Sequence, residues 1–445
     1  MKILLVSPYY PPQNAVASRR VHAFACAWAQ AGHSVTVLTT AKRADQLGFD
    51  VPSPGVEVIE IPFAIPLVLE RLRRVHKSST PISSSTLGEV IHDSQSFVRR
   101  SSNPIIRALR RFREYTGAYC SVRAPDLTDF WVEPAVQWAA AHGPWDAVVS
   151  SSGPYTAHLV ALALKTRRLA QFWVQDFRDL WTRNHLHHGL FPFTLREHLL
   201  ELRVLQNADL ITTVSQPLAD HLSSRTEATV EIIYNGFDPD TFTSLPADPF
   251  LPREGRINLV YAGTYYPSGH APLPVLEALA FIARERTDLR DRFRLHLAGQ
   301  SVERLLAPAH ALNISDLVIN HGLLSRTEAL RLVRDANILL FLDWHNPSAG
   351  VLTGKIFEYL AASAPILAVG PRSASPVGEL LARTKRGLHL GMNSHAIAEV
   401  LLKIAQHDSH SFLPVADFAL VNSFTRSIQA RRLINLITEL TPAQT

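Results

Sequence analysis

Cysteine is scarce in this sequence, with only Cys26 and Cys120 among 445 residues. A disulfide framework or a thiolate metal site needs several cysteines at characteristic spacings. Cys26 falls in an apolar helical pattern, and Cys120 lies beside a Tyr-Cys-Ser turn. Both kinds of site are therefore excluded, and a reducing compartment fits the composition.

Long apolar runs are also missing. No stretch approaches the roughly 18 consecutive apolar residues that a membrane-spanning helix needs. The opening MKILLVSP is too short for the core of a signal peptide. We therefore expect a cytoplasmic protein, with peripheral contact at the inner membrane face as the remaining option.

Acidic residues are few in one region. Between residues 71 and 123 there are eleven Lys and Arg residues against three acidic ones, although the whole chain carries only +5. This asymmetry predicts an anionic partner there, and contact of residues 71–123 with a membrane surface is one interpretation. A basic helix at residues 104–115 that packs on its own domain is the other. Because no aromatic platform separates the charges, nucleic-acid binding is not expected.

What the chain does contain is an alternation of strands and helices. Residues 2–7 predict a buried strand, residues 19–31 an amphipathic helix and residues 34–40 a second strand. Such βαβ units form parallel sheets, and the same rhythm starts again at residue 256. The Pro- and Asp-rich residues 235–255 predict a linker. The fold class is thus α/β with two Rossmann-like domains.

The segment GVLTGKIFEYLAASAPILAV, residues 350–369, predicts an anion site. Thr353 and Gly354 open a short helix whose first N–H groups are free to bind a phosphate. Lys355 lies in the first turn, where the helix dipole disfavours a cation by about 0.3–1 kcal/mol unless an anion is bound. Glu358 shares that face and is placed to take two ribose hydroxyls. A nucleoside diphosphate satisfies this pattern, while a surface ion pair between Lys355 and Glu358 is the alternative.

A second group of polar residues follows the buried strand QFWVQ. Asp176 and Asp179 are placed to accept a hydroxyl proton or to bind sugar hydroxyls, and Arg178 to bind a phosphate. An internal Asp–Arg–Asp network is the alternative. Ser152 and Gly153 end the neighbouring strand in front of a helix, which favours contact with the sugar or phosphate of a donor.

The chain resembles glycosyltransferase family 4. The resemblance rests on six segments in order: SPYYPP, AGHSVTVLT, TTVS at 212–215, YNGFD at 234–238, VYAGT at 260–264 and GKIFEYLAASAPILAV at 354–369. Within the family, the Asp-Phe-Arg-Asp signature at residues 176–179 resembles one bacterial subgroup.

This resemblance implies a GT-B fold, in which two Rossmann-like domains face each other across a cleft. Residues 1–240 would bind the acceptor, with a basic insertion at about 65–130 and a C-terminal helix, 424–445, that crosses back. Residues 256–423 would bind the nucleotide sugar.

The implied reaction is retaining hexosyl transfer without metal or cofactor. The sugar would pass from a nucleotide-diphosphate sugar, most commonly UDP-linked, to the hydroxyl of a sugar, a lipid-linked sugar or a small metabolite. Polysaccharide, glycolipid or metabolite biosynthesis would be the setting.

The resemblance also transfers roles to individual residues. Glu358 matches the second glutamate of the family's paired motif, whereas Gly350 stands where the first would be. The basic residues usual after VYAGT are replaced by YYPS, residues 265–268, so Lys355 is the implied cation for the phosphates. The expected catalytic residues are Asp176, Arg178 and Lys355; the donor-binding residues are Ser152, Gly153, Gly263, Thr264, Thr353, Gly354, Lys355 and Glu358; the acceptor-binding residues are Arg19, Asp176 and Asp179.

Two other functions stay open at this point. A nucleotide-sugar epimerase would use the same architecture, and a binding protein without catalysis would keep the nucleotide site. The histidines at 185, 187 and 188 lack a carboxylate partner, so no metal site is expected there. His158 is expected to be structural.

Overall fold

The computed structural model describes residues 1–66, 108, 111–113, 115–252, 255–267, 269–270, 272–344, 350, 352–371, 375–406 and 415–441. Most of the basic segment 71–123 and of the predicted helix at 104–115 lies outside these residues. No helix within the described ranges combines the length and apolar character needed to cross a membrane.

The described residues form two parallel sheets. The strands are β1 (Lys2–Val6), β2 (Ser34–Thr40), β3 (Val56–Ile61), β4 (Trp145–Ser151), β5 (Ala170–Phe177), β6 (Leu210–Thr213), β7 (Thr229–Ile232), β8 (Ile257–Ala262), β9 (Phe293–Ala298), β10 (Val318–Gly322), β11 (Ile338–Leu342), β12 (Ile366–Val369) and β13 (Gly387–His389). Their order is β3-β2-β1-β4-β5-β6-β7 in one sheet and β10-β9-β8-β11-β12-β13 in the other. The predicted α/β class with two Rossmann-like sheets is confirmed.

Helices connect these strands. They are α1 (Val16–Gln30), α2 (Asp129–Ala141), α3 (Thr156–Thr166), α4 (Phe193–Gln206), α5 (Gln216–Ser223), α6 (Leu273–Glu285), α7 (Leu306–Ala311), α8 (Arg326–Arg334), α9 (Gly354–Ala361), α10 (Pro376–Thr384), α11 (Ser394–Gln406), α12 (Phe418–Ser423) and α13 (Arg426–Leu440). Helix α1 begins three residues before the predicted start, because Ala17 continues the buried stripe of Val21, Phe24 and Trp28 by one turn.

The chain forms two compact units. The first comprises residues 1–212, 225–230 and 437–445, and the second comprises residues 213–224 and 231–436. These limits of the two units come from the packing of the chain in the structure. The division into an acceptor-binding and a donor-binding domain stays a prediction.

The sheet of the second unit is buried on both faces. Leu259 and Leu340 belong to a core cluster with α6 and α11, whereas Val260 and Leu339 belong to a second cluster with α9 and α10. Since successive strand residues point to opposite faces, the two clusters lie on the two sides of one sheet.

The strand order fixes where ligands bind in each sheet. It reverses between β1 and β4 in the first sheet and between β8 and β11 in the second. In open parallel sheets, ligands bind outside the carboxyl ends of the strands at such a reversal. Residues 7–9 and 151–153 lie at that point in the first unit, and residues 263–264 and 343 in the second.

Candidate functional site

Lys355 lies at the first turn of α9, as predicted. Thr353 precedes the helix in extended conformation, and the N–H of Ile356 donates to the Thr353 carbonyl at 3.3 Å. The Lys355 Nζ is 4.2 Å from the centroid of the Tyr261 ring. Burial lowers the pKa of Lys355 to about 7, and the nearby Glu358 carboxylate offsets only part of this effect. The protein alone therefore holds this amine in a poorly solvated place with little opposite charge.

Gly263 makes room for the Lys355 side chain, and Gly299 makes room for the backbone of Gly263. Gly263 follows β8 with a φ of +149°, and a Cβ added there would lie 2.3 Å from the Lys355 Nζ. A Cβ on Gly299 would lie 2.2 Å from the Gly263 carbonyl oxygen. The Tyr261 hydroxyl donates to the Thr264 carbonyl at 2.7 Å, which fixes the same turn. Gly263 therefore lies against the Lys355 amine, in a turn that also contains Thr264.

Thr353 brings an unsatisfied hydroxyl to this helix start. Its Oγ1 is buried and has no hydrogen-bond partner among the described residues, and it does not cap α9. A buried hydroxyl without a partner is costly, so such a group indicates a place for a ligand atom. Residues 353–355 thus bring an unpartnered hydroxyl, a helix N-terminus and a lysine to the same helix start.

Glu358 is held by an arginine rather than by Lys355. Its Oε1 accepts from Arg326 Nη2 at 2.7 Å, and both side chains are partly exposed. Arg326 is the first residue of α8, whose start is fixed by a capping box between Ser325 and Glu328. The surface Lys355–Glu358 pair that the sequence left open does not form within the described residues. Arg326 thus orients the Glu358 carboxylate through Oε1. Among the described residues, no hydrogen bond to the second oxygen, Oε2, is found.

Sequence reasoning missed a buried pair beside this site. Asp343, directly after β11, accepts from His389 Nε2 at 3.1 Å, and both side chains are buried. The N–H of Gly391 donates to His389 Nδ1, which assigns the proton to Nε2. Burial lowers the pKa of His270 to about 4; the Lys355 charge lowers it further and Asp343 opposes this. An aspartate directly after a buried strand was the available signal.

Gly350 has a conformational reason for replacing the expected glutamate. Its φ is +65°, and a Cβ there would lie 2.8 Å from the Cβ of Pro217. Its carbonyl oxygen accepts from the Ser215 hydroxyl. A glutamate at this position would strain the backbone and collide with a neighbouring helix.

The prediction that Asp176 meets an acceptor does not fit its position. The side chain is fully buried, and Arg20 donates to it through Nε at 3.1 Å and Nη2 at 2.7 Å. Ser151 and Thr212 donate two further hydrogen bonds, at 2.8 and 3.0 Å. Although burial alone would raise the pKa of Asp176, Arg20 and these donors hold it below its ordinary value. Asp176 therefore belongs to an internal network, and its partner Arg20 was not predicted.

Arg178, Ser152 and Gly153 form one unit at the ends of β4 and β5. The Arg178 guanidinium donates from Nε to the Ser152 carbonyl at 2.9 Å and from Nη2 to the Gly153 carbonyl at 3.0 Å. A Cβ on Gly153, where φ is +80°, would lie 2.7 Å from Arg178 Nη2. Asp179 is exposed, and the Arg19 guanidinium lies 3.9 Å from the centroid of the Phe49 ring. The structure brings Ser152, Gly153 and Arg178 together.

The first unit contains a cavity at the carboxyl ends of β1 and β2. Its volume is about 120 Å³. It is lined by Pro8, Tyr9, Gln13, Thr40, Ala41, Arg43, Gln46, Phe63, Tyr119, Ser121, Asp126, Leu127 and Thr128. Gln13 is only 7% exposed, and its buried Oε1 finds no hydrogen-bond partner in the described ranges of the chain. Burial raises the pKa of Tyr9 to about 12, so its hydroxyl stays protonated and can donate. Pro8 and Tyr9 belong to the SPYYPP segment, to which the sequence analysis assigned no ligand contact.

His158, which the sequence analysis expects to be structural, lies in the protein interior. His158 is fully buried on α3, its Nδ1 lies 2.8 Å from the Ser150 hydroxyl, and burial lowers its pKa to about 3. The described residues contain no group of three or more His, Cys, Asp or Glu side chains that could hold a metal ion.

A protein-family model matches the part of the chain that contains the ends of β4 and β5. Residues 17–236 match the model described as "Glycosyl transferase 4-like domain". The chain is a glycosyltransferase. No curated protein matches the sequence of this glycosyltransferase.

Solved structures show the fold of the glycosyltransferase. Sucrose-phosphate synthase from Thermosynechococcus elongatus aligns with a TM-score of 0.62 at 16% identity, covering 99% of each chain. Anabaena HepE in complex with UDP and glucose aligns with a TM-score of 0.60 at 14% identity, covering 99% of this chain and 100% of that one. A putative UDP-N-acetylglucosamine 2-epimerase from Listeria monocytogenes aligns with a TM-score of 0.51 at 14% identity, covering 98% and 96%. The predicted GT-B fold is confirmed; at these identities the likeness speaks for the fold alone.

Proposed function

We propose that this glycosyltransferase moves a hexose, with retention and without a metal, from a nucleotide-diphosphate sugar to a hydroxyl acceptor. The observation that carries the proposal is the poorly solvated amine of Lys355 in the first turn of α9. The hydroxyl of Thr353, two residues earlier, has no hydrogen-bond partner within the part of the chain that the structure describes. A diphosphate bound there would supply the missing opposite charge and accept from free backbone N–H groups.

The donor is proposed to lie along α9. Its phosphates would meet Thr353, Gly354 and Lys355, with Gly263 and Thr264 on the other side. Its ribose hydroxyls would donate to Glu358, which Arg326 orients at 2.7 Å. Uridine is the first base to test, because HepE, which shares the fold, was solved with UDP.

The chemistry needs little from the protein besides positioning and charge. The bond between the anomeric carbon and the diphosphate oxygen breaks, and the acceptor oxygen bonds to the same face of that carbon. The acceptor proton passes to the leaving phosphate. Lys355 stabilises the negative charge that develops on this phosphate.

The acceptor is proposed to lie in the first unit. The cavity near Gln13 and Tyr9 offers an unpartnered amide oxygen and a protonated phenol for sugar hydroxyls. Contacts with the acceptor are also proposed for Arg178, for Arg19 and for the exposed Asp179. Asp176 positions Arg20 rather than acting as a base. Sugars, lipid-linked sugars and small metabolites all remain acceptor candidates, in polysaccharide, glycolipid or metabolite biosynthesis. A cytoplasmic location and contact of residues 71–123 with a membrane stay predictions.

The test begins with a thermal-shift screen of UDP-, GDP- and ADP-sugars. It continues with acceptor-dependent release of the nucleoside diphosphate. We expect Lys355→Ala to slow transfer by about 10²–10³-fold, the usual effect of removing one stabilising donor. Lys385→Asn, at an exposed left-handed position where Asn is tolerated, serves as the control.

Other outcomes identify the alternatives. Isomerisation of the donor in the absence of acceptor would favour an epimerase. Thermal stabilisation by a nucleotide sugar without release, across many acceptors, would favour a binding protein. Turnover that survives in Lys355→Ala would refute the assigned phosphate contact.

A further inference from the structure

Helix α4 has its polar and apolar sides inverted. Glu197 and Glu201 are buried, whereas Leu195 and Leu199 are 62% and 70% exposed. Leu202 and Phe191 are exposed as well. Residues three and four apart share a helix face, so Leu195, Leu199 and Leu202 form one outward stripe. The N–H of Thr194 donates to the Leu190 carbonyl, which extends this helical turn back towards Phe191.

The inversion has a physical cause in the buried side. Arg123 donates to both carboxylate oxygens of Glu197, and the Trp181 Nε1 donates to the same group at 3.0 Å. Glu201 accepts from Arg225 and from the Thr182 hydroxyl. With their charges matched inside the protein, the two glutamates place the leucines outward. The orientation of the helix is therefore fixed, and the exposed stripe is not the result of a loosely packed element.

The outward side is positively charged. Arg196 and Arg203 are exposed beside the leucines, and Glu197 and Glu201, both buried, are the only acids between residues 186 and 206. The Asp129 carboxylate, on α2, acts electrostatically on Arg196, so part of that arginine's charge is compensated within the protein. Exposed apolar patches usually mark interaction sites, and an apolar stripe flanked by arginines, on a helix with no exposed acid of its own, matches an anionic lipid surface.

We propose that the α4 stripe, defined as Phe191, Leu195, Leu199 and Leu202, docks this protein on an anionic bilayer. The leucines enter the boundary between headgroups and acyl chains, and Arg196 and Arg203 contact lipid phosphates. This surface lies outside residues 71–123, and the proposal does not depend on the proposed reaction.

The experiment is co-sedimentation of the full chain with vesicles of phosphatidylglycerol and phosphatidylcholine. We expect binding to anionic vesicles that weakens with salt, and little binding to pure phosphatidylcholine. Leu195→Gln/Leu199→Gln should weaken binding by about tenfold or more, since buried leucine surface is lost. Arg196→Gln/Arg203→Gln should weaken binding to anionic vesicles by about tenfold or more and reduce its salt dependence.

The control is Leu273→Gln/Leu323→Gln, which removes two exposed leucines elsewhere and should bind as the wild type does. The leucine and arginine variants of α4 and the control change exposed side chains, so unchanged thermal melting confirms that they fold. Wild-type binding by the stripe variants would overturn the proposal. So would loss of binding on substituting only Arg107, Arg110, Arg111 and Arg113. Self-association that the stripe variants abolish, without vesicle binding, would assign the face to a second copy instead.

Discussion

The charged side chains of Asp176 and Lys355 differ in how the protein compensates their charge. Asp176 is fully buried and receives four hydrogen bonds, two of them from Arg20. Lys355 is surrounded by a tyrosine ring and glycines, and its pKa is lowered to about 7. Asp176 is complete without a ligand, whereas Lys355 gains a strong partner only when an anion binds.

Because its charge is compensated inside the protein, we expect Asp176 to contribute to the stability of the fold. Asp176→Asn leaves the buried Arg20 without its counter-charge, and breaking a buried pair typically costs about 3–5 kcal/mol. We expect a loss of that size in the free energy of unfolding, measured in urea. Asp316→Asn, which breaks an exposed pair with Arg290, should change stability little. A variant that loses transfer at unchanged stability would instead restore a direct role for Asp176.

At the scale of elements, the sequence predicted the start of α9 better than it predicted the side-chain pairs of the two units. Lys355 was placed correctly in the first turn of α9 because a helix start is a local signal. Arg20 and Asp176 are 156 residues apart, and His389 and Asp343 are 46 apart. Neither pair has a local pattern, since tertiary packing alone brings the partners together.

Helix α4 shows the same limit in another form. Its apolar periodicity predicts a helix near the observed residues, but periodicity alone would place the leucines inside. The partners of Glu197 and Glu201 come from residues 123 and 225, so the orientation depends on contacts that are distant in sequence. The apolar periodicity thus predicts the helix, whereas long-range ion pairs determine which of its faces is buried.

The turn after β8 gives a prediction at this scale. In Gly263→Ala the new methyl group would lie 2.3 Å from the Lys355 Nζ, the movable end of a long side chain. The fold should survive while the amine is displaced, and transfer should fall by about tenfold or more, part of the loss expected for removing one stabilising donor. The measurement is kcat/KM, alone and combined with Lys355→Ala, where little further loss is expected. Gly322→Ala, also at positive φ but with open space around it, is the control. Full additivity of the two changes would show that Gly263 acts through another group.

At the scale of the whole molecule, buried histidines in both units link stability to pH. Burial lowers the pKa of His158 to about 3 and those of His270 and His296 to about 4. The unfolded chain therefore binds more protons than the folded chain below about pH 6.5, and stability rises with pH across that range.

We expect the free energy of unfolding to fall as the pH is lowered from about 6.5 to about 4. A single buried histidine with such a shift contributes on the order of 3 kcal/mol. Urea unfolding at pH 7, 6, 5 and 4.5 measures the slope, which His296→Gln should reduce. His310→Gln, at an exposed position, should leave it unchanged. Stability that holds or increases on acidification would contradict the assigned shifts.

The most direct test of the central claim is the proton that Lys355 takes up when a nucleoside diphosphate binds. Free Lys355 is largely neutral above pH 7, and an adjacent phosphate favours its charged form, so binding should weaken as the pH rises through 7. Calorimetry of UDP binding at pH 8, in buffers of different ionisation enthalpy, counts this proton. The wild type should take up most of one proton more than Lys355→Gln does. Equal proton uptake by the two proteins would show that this amine does not meet the diphosphate.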